Sequence, residues 1–285
     1  MQIPEELVRS VSQRRAILFA GAGLSMSIGL PSWDALIRHM GEELGIETEA
    51  LLGPSVSYHT LAEYYRIKVG SIGPLRSWMD RNWRVTREQV RGSRLHQLVM
   101  RLDFPIIYTT NYDRNLEAAF EAQKRDYVKI ANARDIAKIR EGVTQIVKFH
   151  GDFDEDASLV IAETDYFSRL AFDSPLDVKF RSDAMGNALL FVGYSMTDLN
   201  IRLLLHNLWR TWHASGFERD RPKSFVFMAR PNEMQTAIME QWGISVLSSD
   251  TDEPGEALCG FLEELARRVD AHTEEEPSGK QLRMA

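Results

Sequence analysis

The sequence predicts an α/β fold of Rossmann-like type, with a mostly parallel sheet, helices on both faces and a helical insertion. Three observations carry that expectation. Short runs rich in Val, Ile, Leu and Phe recur at residues 16–20, 105–108, 145–149, 189–192, 224–228 and 244–247, and apolar runs of this length suit strands buried on both faces. Each is separated from the next by a stretch long enough for a crossover helix, as parallel neighbours require. The first run empties into glycines, in AILFAGAGLSMSIGLPSW, where a strand would hand the chain to a helix.

Along the chain, the first strand is followed by an interval, about 34–102, with no convincing buried strand. It holds WDALIRHMGEELG, YHTLAEYYRIKVG and PLRSWMDRNW, apolar residues at helical spacing stopped by Gly45, Gly53 and Gly70. This is the expected insertion, packed against the sheet. Its aromatic residues Tyr64, Tyr65, Trp78 and Trp83 suit either core packing or a self-association surface. After the second run, TTNYD precedes a helix expected over 114–120. After the fourth, GYSMTDLN precedes an amphipathic helix expected over 199–212, with Asp198 as its N-cap. The last two runs complete a domain expected over 1–270. From Ala271 the stretch AHTEEEPSGKQLRMA has few large apolar groups and reads as a flexible tail, 271–285.

Composition narrows the function classes. A chain of 285 residues is near the size at which one core begins to divide, so one main domain with an insertion is expected. The net charge of −7 argues against general binding to a phosphate backbone, and the arginines between Arg76 and Arg101 read as a solvated helical face. No direct nucleic-acid binding is expected. No apolar run is long enough for a bilayer span and MQIPEELVRS has no signal-peptide core, so no membrane association and a cytoplasmic location are expected. The single cysteine, Cys259, excludes an intrachain disulfide and a thiolate zinc site.

In an open parallel sheet, ligands collect beyond the carboxyl ends of the strands. Four such ends carry unusual polar residues: GAGLS, TTNYD, HGD and GYSMTDLN. Each has an ordinary structural reading. Glycine and serine make turns and caps, Asn111 or Asp113 can cap the following helix, a lone histidine such as His150 is commonly structural, and Ser195 suits turn chemistry. Together they would converge on one crevice, placing a histidine, an asparagine and a carboxylate beside a glycine loop. The third glycine of the dinucleotide fingerprint is replaced by Met26, which argues against hydride transfer.

With these motifs the chain resembles the sirtuin (SIR2) superfamily. GAGLSMSIGLPSW matches that family's glycine-serine loop, TTNYD its Asn-x-Asp segment, FHG its catalytic His-Gly and GYS its later strand end. Protein-deacylating sirtuins carry four zinc-binding cysteines, which this chain lacks, and an Asp-Phe-Arg segment where Ser32, Trp33 and Asp34 stand here. The chain is more similar to the zinc-free SIR2-like domains of bacterial anti-phage systems, which hydrolyse NAD; LVIAETDYFSRL and GYSMTDLNIR fit that branch.

The resemblance implies an NAD glycohydrolase that releases nicotinamide and ADP-ribose in antiviral defence and needs no metal. His150 would be the general base, Asn111 would orient water and ribose, and Asp113 would sit near the carboxamide. Gly21, Ala22, Gly23 and Ser25 would hold the pyrophosphate, with Thr110 beside them. Gly193, Ser195 and Asn232 would lie on the adenosine side. It further implies a homo-oligomer working with a separate sensor subunit, a HerA-like ATPase or a short Argonaute protein. The alternatives are a non-catalytic subunit that binds NAD or ADP-ribose, and a protein deacylase or ADP-ribosyltransferase.

Overall fold

The computed structural model describes residues 2–30, 33–46, 57–194, 196, 198–251 and 253–275. Gly53, Ser195 and residues 276–285 of the expected tail lie outside them. The chain begins with α1 (Glu5–Ser12), β1 (Ala16–Ala20) and the short α2 (Ala22–Met26). Among the described residues, five helices follow before the next strand: α3 (Trp33–Leu44), α4 (Tyr58–Val69), α5 (Gly73–Asn82), α6 (Arg87–Gly92) and α7 (Arg94–Leu102). Then come β2 (Ile106–Thr109), α8 (Asn115–Ala122), β3 (Tyr127–Ile130), α9 (Ala133–Ile136), β4 (Thr144–Lys148), α10 (Glu163–Arg169) and α11 (Pro175–Gly186). The last part holds β5 (Ala188–Val192), α12 (Leu199–Ser215), β6 (Ser224–Phe227), α13 (Glu233–Gln241), β7 (Ile244–Leu247) and α14 (Pro254–Glu275).

All seven strands are parallel, in the order β3-β4-β2-β1-β5-β6-β7. The fold is α/β and Rossmann-like. Six strands coincide with the apolar runs of the sequence; β3 does not. It is an edge strand whose Val128 and Ile130 are buried while Tyr127 and Lys129 are half-buried. Four residues of alternating character give too short a signal to stand out beside the uniformly apolar central strands.

Every residue of β1 is fully buried. Its side chains alternate between two cores, as the period of two requires. Ala16, Leu18 and Ala20 join Leu7, Leu98 and Leu262 on one face. Ile17 and Phe19 join Phe180 and Leu204 on the other. Each fully buried Leu or Phe contributes about 1.5–3 kcal/mol, so this double-sided burial fixes the centre of the sheet. Register then levels the strand ends: Ala20 lies beside Thr109 and Val192, and Thr109 beside Lys148. The loops after β1, β2, β4 and β5 therefore emerge at one height.

The helices between β1 and β2 build a third core. Leu36, Ile37 and Met40 of α3, Leu61 and Tyr65 of α4 and Leu75 and Met79 of α5 pack on Tyr112, Phe153 and Ile161, residues of the loops that follow β2 and β4. The insertion thus roofs the carboxyl end of the sheet. Of its aromatic residues, Tyr65 is buried, Trp78 and Trp83 pack against the cluster and Tyr64 is exposed. Gly70 ends α4 in the left-handed conformation its sequence position suggests.

Three helices end beyond expectation, α8 at Ala122 and not at Phe120. Helix α12 runs past Trp212 to Ser215, and α14 continues to Glu275, so residues 271–275 are helical and not frayed. Within α14, Ala266 and Val269 still face the core, and the helix carries on from that anchored stretch. The arginines between Arg76 and Arg101 are largely neutralised locally: Arg76 pairs with Asp156, Arg84 with Asp80, Arg87 with Glu121, Arg94 with Glu263 and Arg101 with Asp270. Among the described residues, no helix is long and apolar enough to cross a membrane.

The loops after β1 and β5 meet backbone to backbone. Gly21 N donates to Val192 O at 2.9 Å and Gly23 N to Gly193 O at 3.0 Å. A Cβ on Gly21 would stand 2.5 Å from Gly193 O and 2.7 Å from the Tyr194 ring, and one on Gly23 would stand 2.8 Å from Gly193 Cα. Gly193 itself has φ +68°. Gly21→Ala is expected to cost about 1–3 kcal/mol, the range for overpacking, read as a lowered urea midpoint. Gly92→Ala, where nothing lies within 4 Å of the added carbon, should leave the midpoint almost unchanged.

Candidate active site

Above the levelled strand ends lies a cavity of about 740 Å³, within the range of small-molecule sites. Ala22 and Ser25 reach it from α2, Thr110, Asn111 and Asp113 from the loop after β2, His150 from the end of β4, and Asp198 from the start of α12. The insertion contributes Tyr58, His59 and Trp83, and α10 contributes Tyr166 and Phe167. Polar residues of all four strand-end motifs are thus brought together, with Ser57 and His59 of the insertion and Glu163 of α10 beside them.

A hydrogen-bonded chain organises the floor. Thr109 Oγ1 donates to Ala20 O at 2.8 Å and accepts from Asn111 N at 3.0 Å, which fixes the backbone leaving β2. Asn111 Nδ2 donates to Gly21 O at 3.0 Å and to Ser25 Oγ at 3.1 Å. A carbonyl can only accept, so the amide orientation is set and Oδ1 is the end that Asn111 offers to the cavity. Ser25 Oγ donates in turn to Asp113 Oδ2 at 2.7 Å, and Asp113 Oδ1 accepts from Asn115 N at 3.0 Å at the start of α8. Thr110 Oγ1 lies 2.7 Å from the Tyr194 hydroxyl, which burial keeps protonated.

His150 is almost wholly buried. Its carbonyl accepts from Val160 N at 2.9 Å, and its ring meets Tyr166 edge to face at 5.5 Å. Nε2 is sealed from solvent and has no hydrogen-bond partner among the described residues. The nearest carboxylate oxygen is Asp198 Oδ2, at 3.9 Å. Burial pushes the imidazole down to about 4, with Asp198 opposing and Arg169 and His59 adding to the drop. At neutral pH the ring is uncharged and able to accept a proton. Asp198 does cap α12, its Oδ1 accepting from Asn200 N at 2.9 Å and Ile201 N at 3.2 Å.

Two residues beneath the site were not singled out from the sequence. Lys148, the last residue of β4, is fully buried; its Nζ donates to Asp113 O and lies 3.7 Å from Glu117 Oε1. Burial raises the Glu117 carboxyl while Lys148 draws it down. The available signal was a lysine placed directly after Ile146 and Val147, between them and Phe149. Such a charge is buried only when it has partners.

Other expected residues are placed differently. Gly21, Gly23 and Gly193 do not line the cavity. The Gly21 and Gly23 N–H groups, expected to face phosphate oxygens, are occupied by the carbonyls of Val192 and Gly193. Their lack of side chains serves the close approach of two loops. Asn232 is exposed, caps α13 by accepting from Met234 N at 2.9 Å, and stands outside the cavity. Among the described residues no group of three or more His, Cys, Asp or Glu is arranged to hold a metal ion.

Comparison with known proteins adds a family. A model described as a SIR2-like domain matches residues 105–247. The chain is 33% identical over 206 residues to a protein of Enterococcus faecium named NAD(+) hydrolase ThsA, covering 70% of this chain and 41% of that protein. It is 26% identical over 238 residues to NAD(+) hydrolase ThsA of Bacillus cereus (strain MSX-D12), covering 81% and 47%. With Defense-associated sirtuin 2 of Bacillus subtilis the identity is 23% over 256 residues, covering 86% and 24%. The chain spans about half the length of the curated relatives it matches, or less.

The buried imidazoles make stability depend on pH. His96 of α7, whose Nδ1 lies 2.8 Å from Ser93 Oγ, is also lowered to about 4 by burial, Asp113 opposing. Between about 6.5 and about 4 the unfolded chain binds protons at His96 and His150 that the folded chain refuses, so stability falls as pH falls through that window and is flat above it. Urea unfolding from pH 7 to pH 4.5 should show this decline, reduced in His96→Gln. An unchanged slope in that variant would assign the decline elsewhere.

Proposed function

The chain belongs to the SIR2-like domain family, and from that premise we propose that it hydrolyses NAD, releasing nicotinamide and ADP-ribose, in the service of defence. The observation that carries the reading is local. The carbonyl end of Asn111 and a neutral His150 border one cavity, above a network that fixes both Asn111 and Asp113. The names of the relatives support the same substrate and setting.

Cleaving the bond between nicotinamide and ribose takes the sugar carbon through an oxocarbenium-like state. The electron pair of that bond leaves with the ring, converting a pyridinium to neutral nicotinamide, so departure needs no strong acid. The new bond forms between the same carbon and a water oxygen. Asn111 Oδ1 can accept from that water or from a ribose hydroxyl, holding it without titrating. Neutral His150 takes the proton that the water loses and passes it to solvent, which balances NAD plus water against nicotinamide, ADP-ribose and a proton. Ser25 and Asp113 act as a fixed polar wall. The glycine loop is assigned to shaping the site, with Ala22 and Ser25 as its cavity-facing members. Self-association and a sensor subunit such as a HerA-like ATPase belong to this proposal through the resemblance to anti-phage systems.

Protein purified with the native partners that accompany it, incubated with NAD and analysed by chromatography, should release nicotinamide. His150→Ala should lose about 10²–10⁴-fold in rate, the usual contribution of a positioned acid–base group, and Asn111→Ala about 10²-fold, the cost of a misplaced reactant, with circular dichroism unchanged in both. Absence of release from the unmodified assembly would overturn the reading.

A further inference from the structure

The carboxylates around His150 are not equivalent. Asp177 is taken up by Arg169 at 2.6 Å and by the Ser174 hydroxyl, and Asp113 by Ser25 and the Asn115 N–H. Glu163 accepts from Thr60 Oγ1 at 3.1 Å. Asp198 differs because its two oxygens face different ways. Oδ1 holds the first turn of α12, while Oδ2 faces the sealed Nε2 of His150 at 3.9 Å. That separation is beyond a hydrogen bond, yet only a small rotation from one.

We infer that Asp198 is the charge partner of His150: it keeps the proton of the neutral ring on Nε2, leaves Nδ1 as the acceptor, and stabilises the imidazolium formed in the reaction. This rests on the NAD-hydrolysis reading and extends it by one residue. A neutral imidazole carries one donor and one acceptor nitrogen, and a carboxylate facing one nitrogen selects that nitrogen as the donor. The proton lost by the attacking water then goes to Nδ1, and Nε2–H points at Oδ2 throughout. Asp198 touches His150 and the helix cap, which makes it a positioning residue. The remaining charged or titratable neighbours of His150 are Arg169 and Tyr166 from α10, His59 from α4 and Asp177 from α11. Arg169 and His59 disfavour the imidazolium; Asp177, paired with Arg169, offsets part of that. Among the described residues Asp198 has no Lys or Arg within ion-pair distance, so its charge is not drawn away from the ring.

One substitution separates the cap from the charge. Asparagine is as good an N-cap as aspartate, so Asp198→Asn retains α12 while removing the carboxylate. NMR titration of the His150 ring in protein without NAD should move down by about one pH unit, in line with removal of an opposite charge at this distance. Its kcat for nicotinamide release should fall about tenfold, with KM for NAD little changed and the acid limb of kcat/KM displaced downward. Asp198→Ala should lose activity and also lower the melting temperature, because the cap goes too. An unchanged His150 titration in Asp198→Asn overturns the inference whether or not the protein hydrolyses NAD. A shifted titration in a protein with no hydrolysis upholds the pair and discards the NAD reading.

Discussion

The contact between two backbones, at Gly21 and Gly23 on one side and Gly193 on the other, is the constraint on which the rest depends. It is made of two N–H to carbonyl hydrogen bonds and has no room for a Cβ. Through it the loop after β1 is held against the end of β5. The Gly21 carbonyl then faces Asn111 and sets which end of that amide meets the cavity. On the other side, Asp198, at the capped start of α12, stands five residues beyond Gly193 in sequence. The distance between the two halves of the site is thus governed by glycine packing.

Charge beneath the site follows a second rule. Lys148, Glu117 and Asp152 are all fully buried, and Lys129 reaches Asp152 at 3.2 Å from the edge of the sheet. Desolvating such groups is expensive, and their attraction only partly offsets it. Lys148 also donates to the Asp113 carbonyl, so the cluster props up the loop that carries Asn111. His150 solves the same problem differently, by remaining neutral.

Much of this was legible in the sequence because the two central strands, β1 and β5, are apolar at every position and their neighbours at most positions. Six of seven strands, the position of the insertion and the convergence of Ser25, Asn111, Asp113 and His150 follow from runs of residues and from register. What was not legible depends on tertiary neighbours. Strand β3 alternates because it lies at an edge. The glycines look like a phosphate loop because close approach to a ligand and close approach to another backbone demand the same absent side chain. Asp198 reads as a cap from its neighbours in sequence, and only the fold brings its second oxygen to a histidine forty-eight positions earlier. Asn232 has the same cap signature, yet its helix opens away from the cavity.

The pairing of Ala16 with Ala188 bears on how the protein is born. The central strand is synthesised well before β5, one of its two neighbours, and contacts so distant along the chain close slowly. Until β5 arrives, an apolar strand edge stands open beside its glycine loop, a species prone to aggregate. The cavity therefore cannot form before β5 has been synthesised.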